Sequence, residues 1–344
     1  MDLLKKEMVA LEVIKTLKSR FDNFPEDASE NRNAPFHEAF LEAFRVKIEK
    51  HVSDIPIFVS LASWMHGLNT TLGQSFFEKV SHILCNGEKR EFKGLEIGRK
   101  QQAVISDIMA SLKNRERIAN LTNENNEVFS ADKLNSVRIP NFSADVFYEE
   151  DHKLVLIELK TVKPNSDVFK EQKSKFLNAK AALKNKFSNK EVYFYLGFPF
   201  DPLHEAKCGY DKARFFNYGI DFKKYFATEE VLLADELWDF LSDEQGTMEE
   251  LLLIINTIAK PDFMHKFNFI NNTENILSEK NNYLKILSEW YLHRDFKVVS
   301  KYDTILEFAK EQRSIQRIIS QNLFDSKNIY KESRVNTLLS IINN

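Results

Sequence analysis

The chain has 344 residues, of which 43% are hydrophobic and 29% charged; that balance excludes an extended disordered chain and leaves room for one large domain or two ordinary ones. A formal net charge of −3 excludes a histone-like binder that holds nucleic acid by bulk charge, but not a DNA enzyme with a locally basic cleft. Two cysteines, Cys85 and Cys208, are too few for a disulfide framework, and neither a signal peptide nor a membrane-spanning apolar run is visible, so the setting reads as a reducing cytoplasm with no membrane partner.

Residues 2–21 space Leu3, Leu4, Met8, Leu11, Ile14, Leu17 and Phe21 as one face of an amphipathic helix. Residues 23–35 are polar with two prolines and read as a loop. A second helix is expected over residues 36–51, with Phe36, Phe40, Phe44 and Ile48 on its apolar side, and a third over residues 55–66. Residues 69–71 offer an N-cap for a helix over residues 72–84. That helix would bury Phe76, Phe77, Val80, Ile83 and Leu84, with Glu78 beside them. Residues 86–100 are charged and glycine-punctuated, a loop or short strand around Phe92; residues 101–112 read as a helix, and residues 122–135 as beginning in a loop.

Residues 143–165 carry the strongest signal. Asp145 opens a β-prone run, a polar acidic turn follows, and the apolar run 154–157 ends in Glu158, Leu159 and Lys160. Two such runs joined by a polar link form a β-hairpin, the second being apolar on both faces as a central strand is. Side chains alternate along a strand, so Glu158 and Lys160 share a face, and the hairpin can bring Asp145 beside Glu158. Paired carboxylates are a hard-oxygen site suited to magnesium, and a lysine one pleat on can orient a water or offset charge on phosphorus. The triplet acid–any–Lys recurs elsewhere, at Glu91, Glu205 and Asp221 for instance, so context rather than the triplet distinguishes Glu158. A structural Glu–Lys pair at a strand end is the competing explanation.

Residues 160–190 hold nine lysines against Asp167 and Glu171. A helix after Pro164 would turn Phe169, Phe176 and Leu183 to the core and most of the lysines outward, either as a solvated face or to track phosphates. Residues 191–198 form a strong strand, parallel to the Glu158 strand through that helix. Residues 200–219 are irregular, with Tyr210, Arg214 and Asn217 available to a DNA groove. A short strand at 231–233 and a helix at 234–241 follow. Helices are expected from residue 247 onward, over 248–259, 276–292, 304–323 and 330–342. There is no P-loop, no strand-linked GxGxxG and no HExxH, which argues against nucleotide-driven motors, dinucleotide oxidoreductases and zincins.

The array Asp145 … Glu158-Leu159-Lys160 resembles the PD-(D/E)xK nuclease motif, with Ala144 where the usual proline precedes the aspartate. The continuation 161–165 is similar to type II restriction endonucleases of the TdeIII kind. So are residues 72–78, which resemble the helix those enzymes carry upstream, and residues 231–241, where Ala234 stands for the usual glycine. The resemblance implies an α/β fold: a restriction-endonuclease-like central mixed β-sheet flanked by helices, with helical N- and C-terminal extensions. The domains would be a helical region at 1–66, the catalytic core at 67–245 and a helical region at 246–344, for dimerisation or DNA recognition or packed on the core. It implies magnesium-dependent, sequence-specific cleavage of double-stranded DNA by a homodimer without a nucleotide cofactor. Asp145 and Glu158 would hold the metal, Glu78 is a further candidate carboxylate, and Lys160 completes the catalytic set. Lys163, Asn165, Lys170, Lys173 and Arg214 are the candidate DNA contacts. A structure-specific repair or recombination nuclease, or a non-catalytic DNA-binding protein of this fold, would share most of these features.

Overall fold

The computed structural model describes residues 1–25, 37, 39, 41–53, 55–161, 166–310 and 312–343. The chain divides into two compact units, one made of residues 77–250 with Met1, the other of residues 2–76 and 251–344.

The first unit is α/β. Its strands are β1 (Glu88–Phe92), β2 (Glu96–Gly98), β3 (Ser136–Arg138), β4 (Phe142–Glu149), β5 (Lys153–Leu159), β6 (Glu191–Phe198) and β7 (Val231–Leu233). Its helices are α1 (Phe77–Cys85), α2 (Arg99–Asn114), α3 (Leu121–Ser130), α4 (Ser166–Lys186), α5 (Lys212–Tyr218), α6 (Phe222–Tyr225) and α7 (Asp235–Ser242). Five strands form a mixed sheet in the order β1-β4-β5-β6-β7, and β2 pairs with β3 alone. The β4–β5 hairpin is antiparallel and β5–β6 parallel, so the expected crossover through the lysine-rich helix is present. β5 is central and buried from Leu154 to Leu159, which its unbroken apolar run requires.

Alternation along β6 decides what covers each face. Phe194 stacks on Phe176 of α4, so α4 covers the face that also carries Leu156, the register partner of Phe194, and Glu158, the register partner of Leu196. Tyr195 meets Phe240 of α7 edge-on, so α7 covers the opposite face. Gly197 lies on the α7 side, and a Cβ there would stand 2.8 Å from Ile157 Cγ2 and 3.1 Å from Leu237 Cδ1; the close approach of α7 needs a glycine. The turn between β7 and α7 places Ala234 at φ +53°, ψ −122°, a region that costs an L-residue free energy and that glycine enters freely.

Of the two alternatives for residues 86–100, the short strand holds at residues 88–92, because β4 presents an unpaired edge that β1 completes. Two expectations in this unit are corrected. Residues 121–130 are helix α3, not a loop; Asn120 caps it, accepting from the Asn123 N–H at 2.9 Å. Part of 200–219 is helix α5, capped by Asp211.

Lys173 and Lys180 of α4 point inward and are the exceptions to the expected outward face. Counted from Phe169, positions 173, 176, 180 and 183 follow the four-three spacing of one helix face. The Lys173 ammonium lies 2.5 Å from Glu124 and 2.6 Å from Glu230, and Lys180 lies 3.7 Å from Glu230. Burial alone would raise the Glu230 carboxyl, but the two lysines hold it below its ordinary value. Burial pushes the Lys180 amine down to about 8. This dry, charge-balanced cluster ties α3, α4 and the turn before β7 together.

The second unit is helical. Helix Leu3–Phe21 is capped by Asp2 and buries Glu7, Val9, Ala10, Val13 and Ile14. Leu3 and Leu4 are 63% and 54% exposed, so the buried stripe is rotated from the expected one; Glu7, paired with Arg294 at 3.2 Å, is drawn inward. In residues 36–51 the described elements are a short turn, Glu42–Phe44, and helix Arg45–Ile48, while Phe36 and Phe40 lie outside the described residues. The loop expected at 23–35 lies outside them from residue 26 onward.

No helix starts at residues 69–71. Helix Ile55–Thr71 runs through them, the Thr70 and Thr71 hydroxyls bond back to the His66 and Gly67 carbonyls, and Leu72–Phe76 is π-helical. The helices expected over 276–292 and 304–323 are broken into shorter segments, Asn275–Ser278, Lys280–Glu289, His293–Ser300, Tyr302–Ala309 and Arg313–Ile319, with Phe263–Ile270 ahead of them, while Glu332–Asn343 matches the helix expected over 330–342. Tyr291, at φ +59°, lets the chain turn after Lys280–Glu289. Trp290 is buried there and stacks on Phe263.

Candidate active site

Asp145 and Glu158 come together because of the hairpin register. Val146 pairs with Ile157 and Phe147 with Leu156, so the next step sets Asp145 opposite Glu158 on the same face, at the spacing of cross-strand neighbours. Backbone pairing between β4 and β5 stops there, and the Asp145 side chain replaces it, accepting the Leu159 N–H at 2.9 Å.

Glu158 is 8% exposed. Lys160 donates to its Oε1 at 2.7 Å and Lys175, from α4, to its Oε2 at 2.6 Å. Burial alone would raise this carboxyl; Lys175 and Lys160 more than offset that and hold it below its ordinary value. Asp145 Oδ1 lies 3.5 Å from Lys89 of β1, whose nearer partner is Glu78 of α1 at 3.0 Å. The hydrogen bond to Glu78 raises the Lys89 amine, against the opposing effect of burial. His82 of α1 donates from Nε2 to the Asp145 carbonyl at 2.7 Å, which tethers the Asp145 peptide to the helix and makes Nε2 the protonated nitrogen.

Asp145, Glu158 and Lys160 thus sit together at one end of the sheet. Glu78 reaches Asp145 only through Lys89, and among the described residues no three carboxylate, histidine or cysteine groups converge as a metal-binding set. Lys163 and Asn165 lie outside the described residues. Lys170 is exposed and lines a groove of about 560 Å³ between α4 and the segment entering β4, with Ser174, Lys175 and Asn178 on the same wall. Lys173 is corrected: its side chain is 0% exposed between Glu124 and Glu230, so no phosphate reaches it. Arg214 is exposed on α5.

Sequence reasoning missed Lys89, His82 and Lys175. Lys89 and His82 carried no signal, because β1 and α1 meet Asp145 only in the fold. Lys175 stood in the lysine-rich stretch, but nothing marked which lysine would turn to Glu158.

The sequence matches the HinfI family of type II restriction endonucleases over residues 4–259. It is 42% identical to the type II restriction enzyme MjaII of Methanocaldococcus jannaschii, across 98% of this chain and 96% of that protein. The chain belongs to the HinfI family of type II restriction endonucleases. The kinship expected from residues 145–160 and their neighbours therefore holds, and the activity is site-specific cleavage of DNA. Enzymes of this class generally use a divalent metal. The donor set of this endonuclease fits one: two adjacent carboxylates offer hard oxygens, and magnesium commonly takes one or two carboxylates and completes its shell with waters and phosphate oxygens. Lys160 and Lys175 on Glu158, and Lys89 near Asp145, balance the charge of the pair.

Proposed function

We propose that this endonuclease hydrolyses phosphodiester bonds of its DNA site with magnesium held by Asp145 and Glu158. The observation that carries the reading is the cross-strand pair itself, two carboxylates in register at the end of a buried strand with Lys160 on one of them. Glu158, held ionised by its two lysines, is an acceptor-only ligand at neutral pH. Asp145 is oriented by the Leu159 amide and its peptide by His82. Bound magnesium would supply Lewis acidity toward phosphate oxygens and ease the formation of hydroxide. Lys160 is placed to hold the attacking water and to offset charge as the new phosphorus–oxygen bond forms and the old one breaks. Exposed Lys170 is a phosphate contact, which positions the duplex without reading it. Among the described residues each chain carries one such pair, so cutting both strands at one site is met by a twofold homodimer.

The test is digestion of unmethylated phage DNA by the purified enzyme, with magnesium and with EDTA. Discrete bands in magnesium alone are expected, and end-sequencing then gives the site. Equal cutting in EDTA would remove the metal from the reading.

A further inference from the structure

Lys175 does not act at the reacting atoms, yet it makes the shorter of the two contacts to Glu158. We propose that Lys175 is a displaceable counter-ion of Glu158, so that a divalent cation loads at the carboxylate pair by driving this ammonium off Oε2. The inference rests on the metal reading of Asp145 and Glu158.

A carboxylate that is 8% exposed needs compensating charge, and here both oxygens are already taken. A cation arriving at Glu158 therefore meets an occupied ligand as well as like charge. Of the neighbouring ammonium groups, one is free to leave. Lys160 is two residues further along the chain, just past the end of β5, so its tether is short and its role at the reacting atoms keeps it in place. Lys89 stands 3.5 Å from Asp145 and closer to Glu78, so it keeps its main partner whatever binds Asp145. Lys175 reaches in from α4 on a flexible four-carbon stem. Its side chain is 18% exposed, and it lines the groove that also holds Lys170, Ser174 and Asn178, which gives the displaced ammonium a solvated place. Lys173, two residues earlier, has no such exit, with 0% exposure.

The experiment is calcium titration by calorimetry without DNA, on the wild type, Lys175→Gln, Lys175→Arg and Glu158→Gln, each first checked for a native melting transition. Lys175→Gln should bind calcium roughly tenfold tighter, the scale of one partly buried ion pair. Lys175→Arg, which keeps the pair, should stay near the wild type. The magnesium concentration for half-maximal cleavage should fall in parallel in Lys175→Gln. Unchanged or weaker calcium binding by Lys175→Gln, with binding abolished in Glu158→Gln, overturns the counter-ion role and leaves the metal reading intact. Calcium binding that survives Glu158→Gln unaltered removes the metal reading, and the inference falls with it.

Discussion

Two clusters of lysines and carboxylates share helix α4, and they do different work. Lys173 and Lys180 meet Glu124 and Glu230 with side chains at most 2% exposed. Lys175, two residues on from Lys173, meets Glu158 where the side chains of Glu158, Lys175 and Lys160 are 10 to 25% exposed. The first cluster is closed and neutral, two ammoniums on two carboxylates. It has no room for a ligand, and its function is to lock α4 to its neighbours. The second lies at a strand end beside a groove and holds a carboxylate that a cation can reach. Residue type is the same in both; what separates a structural ion cluster from a reactive one is access to solvent at the carboxylate.

If that division is right, variants in the two clusters should fail in different assays. Lys160→Ala should cut the cleavage rate by about a thousandfold, roughly 4 kcal/mol of barrier, with a melting temperature close to that of the wild type. A rate within tenfold of wild type in single-turnover assays would take Lys160 out of the chemistry. In the closed cluster, Lys173→Ala should leave two buried glutamates facing one lysine and cost about 3 kcal/mol of stability in urea unfolding. A wild-type denaturation midpoint there would erase the distinction between the clusters.

The closed cluster also predicts a pH response. Burial pushes Lys180 down to about 8 from its ordinary 10.5. Between those values the folded chain carries the neutral amine while the unfolded chain binds a proton. Stability due to Lys180 therefore rises with pH across this window, and below it the buried charge opposes folding. Relative to Lys180→Met, the wild type should gain up to about 1.4 kcal/mol per pH unit on going upward from pH 8. Urea unfolding of both proteins at several pH values checks this, and a constant difference would contradict it. At the open cluster, His82→Ala should loosen the Asp145 peptide and slow cleavage by roughly tenfold, about 1.4 kcal/mol, with little loss of stability. A rate equal to that of the wild type would show that the Leu159 amide alone suffices to orient Asp145.

What could be read from the sequence was what is decided locally. The hairpin follows from an apolar run, a polar turn and a second β-prone run, and its register brings Asp145 to Glu158 without help from the rest of the chain. The inward turn of Lys173 and Lys180 was also legible, since both fall on the Phe169–Phe176–Leu183 stripe. β1 was legible only as one of two alternatives, a loop or a short strand around Phe92, because Glu88–Phe92 is charged and becomes a strand only where β4 offers an open edge. With it was hidden Lys89, the link between Glu78 and Asp145. Helix α3 lacks a strong apolar stripe and is fixed by the Asn120 cap and by buried Glu124, whose partner lies 49 residues away in Lys173. Ala234 was visible as a departure from glycine, but only the backbone shows that it occupies a left-handed angle.

The most direct test of the central claim separates binding from cutting at Glu158. Glu158→Gln keeps the shape of the side chain and removes its charge. With DNA carrying the mapped site, this variant should bind the duplex specifically in the presence of calcium and show cleavage in magnesium reduced by about a thousandfold or more. Cleavage at the wild-type rate would contradict the assignment of Asp145 and Glu158 as the metal-holding pair and return Glu158–Lys160 to a structural ion pair at a strand end.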